Sequence, residues 1–98
     1  MKKVSWSVKA RQELNDVYDY WTLHNNSNVY SEKILDETFR MINLLRKQSY
    51  IGEESKIKKI RRVLILENFS LFYKLMNDEI KVLSFFDNRQ DPGNLKIN

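Results

Sequence analysis

The 98-residue chain has no cysteine, a single histidine, one proline and two glycines. Without cysteine there is no disulfide framework, thiol nucleophile or thiolate metal site. His24 alone cannot build a multi-histidine zinc centre. With so few helix and strand breakers, most of the chain should be regular structure. No apolar run is long enough for a signal peptide or a membrane span, so a cytoplasmic location without membrane contact is expected. Glycine-rich phosphate loops, nucleophile triads, repeats and low-complexity segments are also missing, and neither metal nor cofactor is expected.

What is present suits a packed core. Apolar residues make up 42% and aromatics 12% of the chain, enough for one compact domain over residues 1–98. So short a chain buries only part of its surface, and a partner that binds the folded form would add stability. The formal charge is +4 with pI near 9.4, which favours an acidic partner, either nucleic acid or an acidic protein segment. The excess is concentrated in Lys56-Ile57-Lys58-Lys59-Ile60-Arg61-Arg62. A solvated strand with charged edges would look the same.

Val4 to Ser7 alternates and reads as a short strand. Ser7 can cap a helix whose stripe is Ala10, Leu14, Val17 and Trp21, ending in the polar turn at His24-Asn25-Asn26. Ser27 is the expected N-cap of a second helix with the stripe Tyr30, Ile34, Thr38, Met41 and Leu45, and Arg46 and Lys47 suit its last turn. The short polar join makes the two helices an antiparallel hairpin. Gly52 and Glu53-Glu54-Ser55 read as a loop. Strands are then expected at Ile60 to Leu66, Phe69 to Met76 and Glu79 to Phe86, with Asn77-Asp78 as a two-residue hairpin turn. The result is an α+β fold of order β-α-α-β-β-β. Its antiparallel meander carries the helix hairpin on one face, and the first strand lies at an edge. Phe69, Leu71, Tyr73 and Leu75 should lie under the helices. Phe72, Lys74 and Met76 should then face outward.

An outward Phe72 rimmed by charge suggests a partner site, unless the C-terminal tail covers it. Arg61 and Arg62 point to opposite faces, so one of them should sit beside Lys74, and Arg89 could return over the same surface. Such a cluster suits phosphate or carboxylate. Asp87 and Asp91 are expected to pair with Arg89 or cap the tail. His24 reads as a surface residue, and Trp6 and Trp21 as core aromatics rather than a base-stacking platform.

The order and spacing of Trp6-Ser7, Ala10, Glu13-Leu14, Val17, Tyr20-Trp21, Tyr30-Ser31, Leu45, Gly52, Ile60-Arg61-Arg62, Phe69-x-Leu71-x-Tyr73-x-Leu75, Ile80-x-Val82-Leu83-x-Phe85 and Arg89-Gln90-Asp91-Pro92 resemble the ParE/RelE superfamily of plasmid-stabilisation toxins, the ParE-like branch above all. The resemblance implies the same fold and a cognate antitoxin whose acidic or amphipathic segment wraps the toxin, with Phe72, Leu83 and Phe85 as its contacts. It implies DNA gyrase as the target of a ParE-like member, or ribosome-bound mRNA for a RelE-like nuclease. Lys58, Lys59, Arg61, Arg62, Lys74 and Arg89 would then hold the target or nucleic acid. In a ribonuclease Arg61, Arg62, Lys74 and Arg89 would be the catalytic candidates. Asp87 stands where many relatives carry histidine, and no Tyr or His follows Tyr73, so the balance tilts to gyrase inhibition. An inactive antitoxin-binding relative and a small nucleic-acid-binding regulator are the remaining alternatives. A homodimer and a toxin–antitoxin heterotetramer both fit.

Overall fold

The computed structural model describes residues 1–90 together with Gly93 and Leu95. Its elements are β1 (Lys3–Trp6), α1 (Val8–Asn25), α2 (Val29–Lys47), β2 (Glu53–Glu54), β3 (Ile60–Ile65), β4 (Phe69–Met76) and β5 (Glu79–Asp87). The five strands form one sheet in the order β1-β5-β4-β3-β2. The meander β3-β4-β5 is antiparallel, and β1 joins the edge of β5 in parallel. This is the α+β arrangement expected from the sequence, with one added strand. Glu53-Glu54, expected as loop, pairs with Arg62 and Arg61 at the far edge. Opposite charges across that pair stabilise a strand too short for its apolar pattern to reveal.

Ser7 caps α1 as expected, its hydroxyl accepting from the Ala10 amide at 3.0 Å. The helix ends in a left-handed residue, Asn26 at φ 51°, a conformation asparagine tolerates. The α2 cap is Asn28 rather than Ser27. Ser27 is held one residue earlier, where its amide bonds Thr22 O at 3.1 Å and its hydroxyl accepts from Val29 N at 3.2 Å. The helices are clasped by a polar contact: buried Ser31 donates to Tyr18 O at 2.8 Å and accepts from Thr22 at 2.8 Å.

The core lies between the helix hairpin and one sheet face. Ala10, Leu14 and Val17 of α1 and Ile34, Ile42 and Leu45 of α2 meet Val63, Ile65, Phe69, Leu71, Tyr73, Ile80, Val82 and Phe85. The alternation on β4 is as expected, but β5 departs from it. A bulge between the Phe72 and Tyr73 pairings leaves Leu83 as an extra residue, so Tyr73 pairs with Val82 and Phe72 with Ser84. Beyond the bulge the faces exchange. Phe85 pairs with Leu71 in the core, and Phe86 pairs with Ser70. Phe85, expected with Phe72 and Leu83 as an antitoxin contact on the outer face, lies instead in the core at 1% exposure.

The outer sheet face has its own apolar cluster of Ile60, Phe72 and Phe86, with Leu83 and Leu95 packed against it. Phe72 is only 6% exposed. The expectation of an open Phe72 patch is corrected: the tail's Leu95 and the bulged Leu83 help cover it. Asp91 and Pro92 of the expected tail lie outside the described residues.

Candidate functional site

The cations singled out in the sequence, Lys58, Lys59, Arg61, Arg62, Lys74 and Arg89, separate into three places. Arg61 emerges from β3 on the helix side, next to the segment that follows α2. Its guanidinium donates to Gly52 O at 2.6 Å and Tyr50 O at 3.4 Å, lies 5.0 Å from the Tyr50 ring centre and stands 3.6 Å from Glu54. Lys58 and Lys59 flank it in the preceding loop, and with Tyr50 and Leu75 they line a pocket of about 440 Å³.

Arg62, one residue on, points to the outer face. There it bonds Glu53 at 2.7 Å and Ser70 Oγ at 3.4 Å. Lys74 lies further along that face, directly opposite Lys81 on β5. Like charges in that register repel, and neither has a carboxylate within ion-pair distance among the described residues. Lys81 went unnoticed in the sequence reading, although the Asn77-Asp78 turn fixes its register opposite Lys74.

Arg89 stands at the other end of the strands, past β5. It is bound to its near neighbour Asp87, with Nε donating to Oδ1 at 2.8 Å and Nη2 to Oδ2 at 3.0 Å. Its guanidinium lies 4.5 Å from the Trp21 ring centre and 5.3 Å from that of Phe69. The Asp87 hydrogen bonds hold the guanidinium above its ordinary pKa. The pairing of Asp87 with Arg89 is the one expected. The role of Trp21 is larger than expected, since it touches the core, Tyr30 and Arg89 at once.

Beside Arg89 runs a groove of about 650 Å³ between α1 and β5, with Asp16, Tyr20, Trp21, Phe86 and Gln90 among its walls. β1 stops pairing at Val82, so among the described residues the rest of that β5 edge has no strand beside it. Glu13 supplies the missing acceptor there. Its Oε1 receives the Phe85 amide at 3.2 Å and the Ser84 hydroxyl at 3.0 Å. Tyr20 is 56% exposed on the groove wall, and His24 stacks against it with ring centres 5.6 Å apart.

Tyr73, the one tyrosine on the basic side of the meander, is sealed in the core. Its hydroxyl donates to Ser49 O at 2.8 Å and accepts from Gly52 N at 3.1 Å. Burial pushes its pKa above the ordinary phenol value. No group of three or more metal-ligating side chains occurs among the described residues, and no helix among them is long and apolar enough to cross a membrane.

A short helix hairpin laid on a mostly antiparallel sheet, with a basic loop at one end and an aromatic groove at the other, defines a small α+β protein of the ParE/RelE-like toxin fold. The chain belongs to the family described as the ParE toxin of the type II toxin–antitoxin system parDE, whose model matches residues 4–92. Two solved structures share the fold. One is from the chromosomal ParDE toxin–antitoxin system of P. aeruginosa, with a TM-score of 0.63 at 19% identity over 89% of this chain and 96% of that one. The other is a copper-bound mutant toxin from Helicobacter pylori, with a TM-score of 0.63 at 20% identity over 89% of this chain and 94% of that one. No curated protein matches the chain.

Proposed function

We propose that this ParE-family chain inhibits DNA gyrase by binding it, arrests growth in the cytoplasm when unopposed, and is neutralised by a cognate antitoxin encoded with it, as a plasmid-stabilising pair requires. The family match supports the toxin reading. The observation that carries binding over cleavage is the dispersal of the cations. Ribonucleolytic cleavage would need charge stabilisers and a proton donor converging on one phosphate. Here Arg61 and Arg62 face opposite ways, Arg89 is paired to Asp87 at the far end, and the Tyr73 hydroxyl is committed to Ser49 and Gly52 in the core. The groove along α1 and the open β5 edge, with its exposed Tyr20, suits the antitoxin's anchoring segment.

The test is induced expression with and without the antitoxin gene, joined to a supercoiling assay with purified gyrase and 5′-end mapping of cellular mRNA. Growth arrest with DNA damage, loss of supercoiling activity and intact mRNA is the expected result. Codon-phased mRNA cuts with normal supercoiling would overturn it.

A further inference from the structure

We propose that the groove between α1 and β5 is a receptor for a cation: a lysine or arginine side chain of the antitoxin's anchoring segment, held between the Asp16 carboxylate and the Tyr20 ring. The proposal rests on the reading of this groove as the antitoxin's anchoring site and adds the chemistry by which the segment is recognised.

The groove is opposite in sign to the molecule around it. The chain carries a formal charge of +4, yet the described walls of the groove set three carboxylates, Glu13, Asp16 and Asp87, against one guanidinium, Arg89. Two of these acids are already matched. Asp87 holds Arg89 through both of its oxygens, at 2.8 and 3.0 Å. Glu13 accepts from the Phe85 amide and the Ser84 hydroxyl with one oxygen, and its other oxygen stands 3.2 Å from Lys9. Asp16 is different. It is exposed, it accepts from the Gln12 amide at 2.9 Å, and among the described residues no cation lies within ion-pair distance of it. An anionic group entering here would find Arg89 already engaged and Asp16 repelling it. A cationic group gains a carboxylate for which no other cation competes. The overall charge favours an acidic partner, but at this groove the preference is reversed.

Tyr20 supplies the second half of the receptor. It follows Asp16 by four residues, so the two are neighbours on one side of α1. Its exposed ring is held in place rather than free to swing: Trp21 meets it edge-on with centres 5.1 Å apart, and His24 stacks on it at 5.6 Å. A fixed aromatic ring beside a carboxylate takes an ammonium or guanidinium by charge and by its π face together. The same groove contains this arrangement once already, filled from within the chain. Arg89 lies 4.5 Å from the Trp21 ring centre while bound to Asp87. Asp16 and Tyr20 repeat it one helical turn away, without the cation. The volume, about 650 Å³, admits a long side chain together with its flanking residues.

The test titrates the purified full chain with the antitoxin encoded beside it, over a series of salt concentrations. Asp16→Asn should weaken binding about fivefold and make it less sensitive to salt. Asp16→Lys should weaken it about thirtyfold or more, because like charge then opposes the incoming cation. Asp36→Lys makes the same charge change at an exposed position on α2 and should alter affinity by less than about twofold. Tyr20→Leu should cost about threefold, and Tyr20→Phe, which keeps the ring, should cost less. Asp16 and Tyr20 are both exposed, so all these variants should keep the wild-type thermal transition. Each lysine and arginine of the antitoxin is then changed to glutamate in turn. One of these variants should lose affinity for the wild-type chain and recover it with Asp16→Lys. Full affinity in Asp16→Lys, an equal loss in Asp36→Lys, or no antitoxin variant recovered by Asp16→Lys would overturn the proposal while leaving antitoxin binding itself intact. Absence of any complex with the wild-type chain would overturn the underlying reading and the proposal together.

Discussion

Tyr73 and Gly52 work as a pair. The tyrosine hydroxyl sits against the glycine backbone, and a Cβ placed on Gly52 would lie about 3.0 Å from the phenol Cζ and overlap the hydroxyl itself. Gly52→Ala should therefore cost about 1–3 kcal/mol, the usual range for overpacking, read as a lowered urea midpoint with an unchanged m-value. The same ring gives an alkaline limit. Its pKa is raised by burial, so the folded state keeps its proton where the unfolded chain loses it. That stability is complete below the unfolded value of about 10 and is lost as pH rises through the higher folded value. Unfolding free energy should fall above about pH 10, and Tyr73→Phe should flatten that slope while costing about 1–3 kcal/mol at neutral pH for the unpaired Gly52 amide. Tyr18, raised by its hydrogen bond to Glu32, titrates in the same direction from the surface, and Tyr18→Phe separates its part of the slope.

At the scale of elements, the outer sheet face is a second small core. Phe72→Asp would bury a carboxylate among Ile60, Phe86 and Leu83. It should unfold the protein or cost more than about 3 kcal/mol, seen as loss of the cooperative thermal transition before any partner is added. Both helices, the order of the meander and the inward set on β4 were legible because each follows one period without interruption. What failed to show has a local cause. The Leu83 bulge adds one residue to a strand whose neighbours, Val82 to Phe86, are nearly all apolar, so alternation could not say which phenylalanine faces the helices. The Glu53-Glu54 strand has no apolar pattern at all. The basic residues were found, but Arg89 was expected over the surface of Lys74 and stands instead at the other end of the strands. Alternation split Arg61 from Arg62, and nearness in sequence suggested Asp87 for Arg89, whereas the seat of Arg89 on Trp21 and Phe69 at the far end of the sheet depends on tertiary contacts that no spacing encodes.

For the whole molecule, a small chain with a modest core gains visibly from any partner selective for its folded form. An antitoxin at a hundred times its dissociation constant adds about 2.7 kcal/mol, which for a domain of this size should raise the melting temperature by roughly 10–20 °C. A melting temperature indifferent to saturating antitoxin would mean that the two do not bind. The sheet also joins distant parts of the chain: among the described residues β5 is the only strand beside β1, and Ser7 reaches Leu83 across 76 residues. Translation supplies residues at about 5–20 per second, so β1 waits several seconds for its neighbour to be synthesised. Nascent chains stalled before Glu79 should leave Lys3–Trp6 open to protease. A chain stitched in this order cannot close its sheet until its last strand is out, so the finished fold that any partner would recognise exists only once synthesis has passed β5.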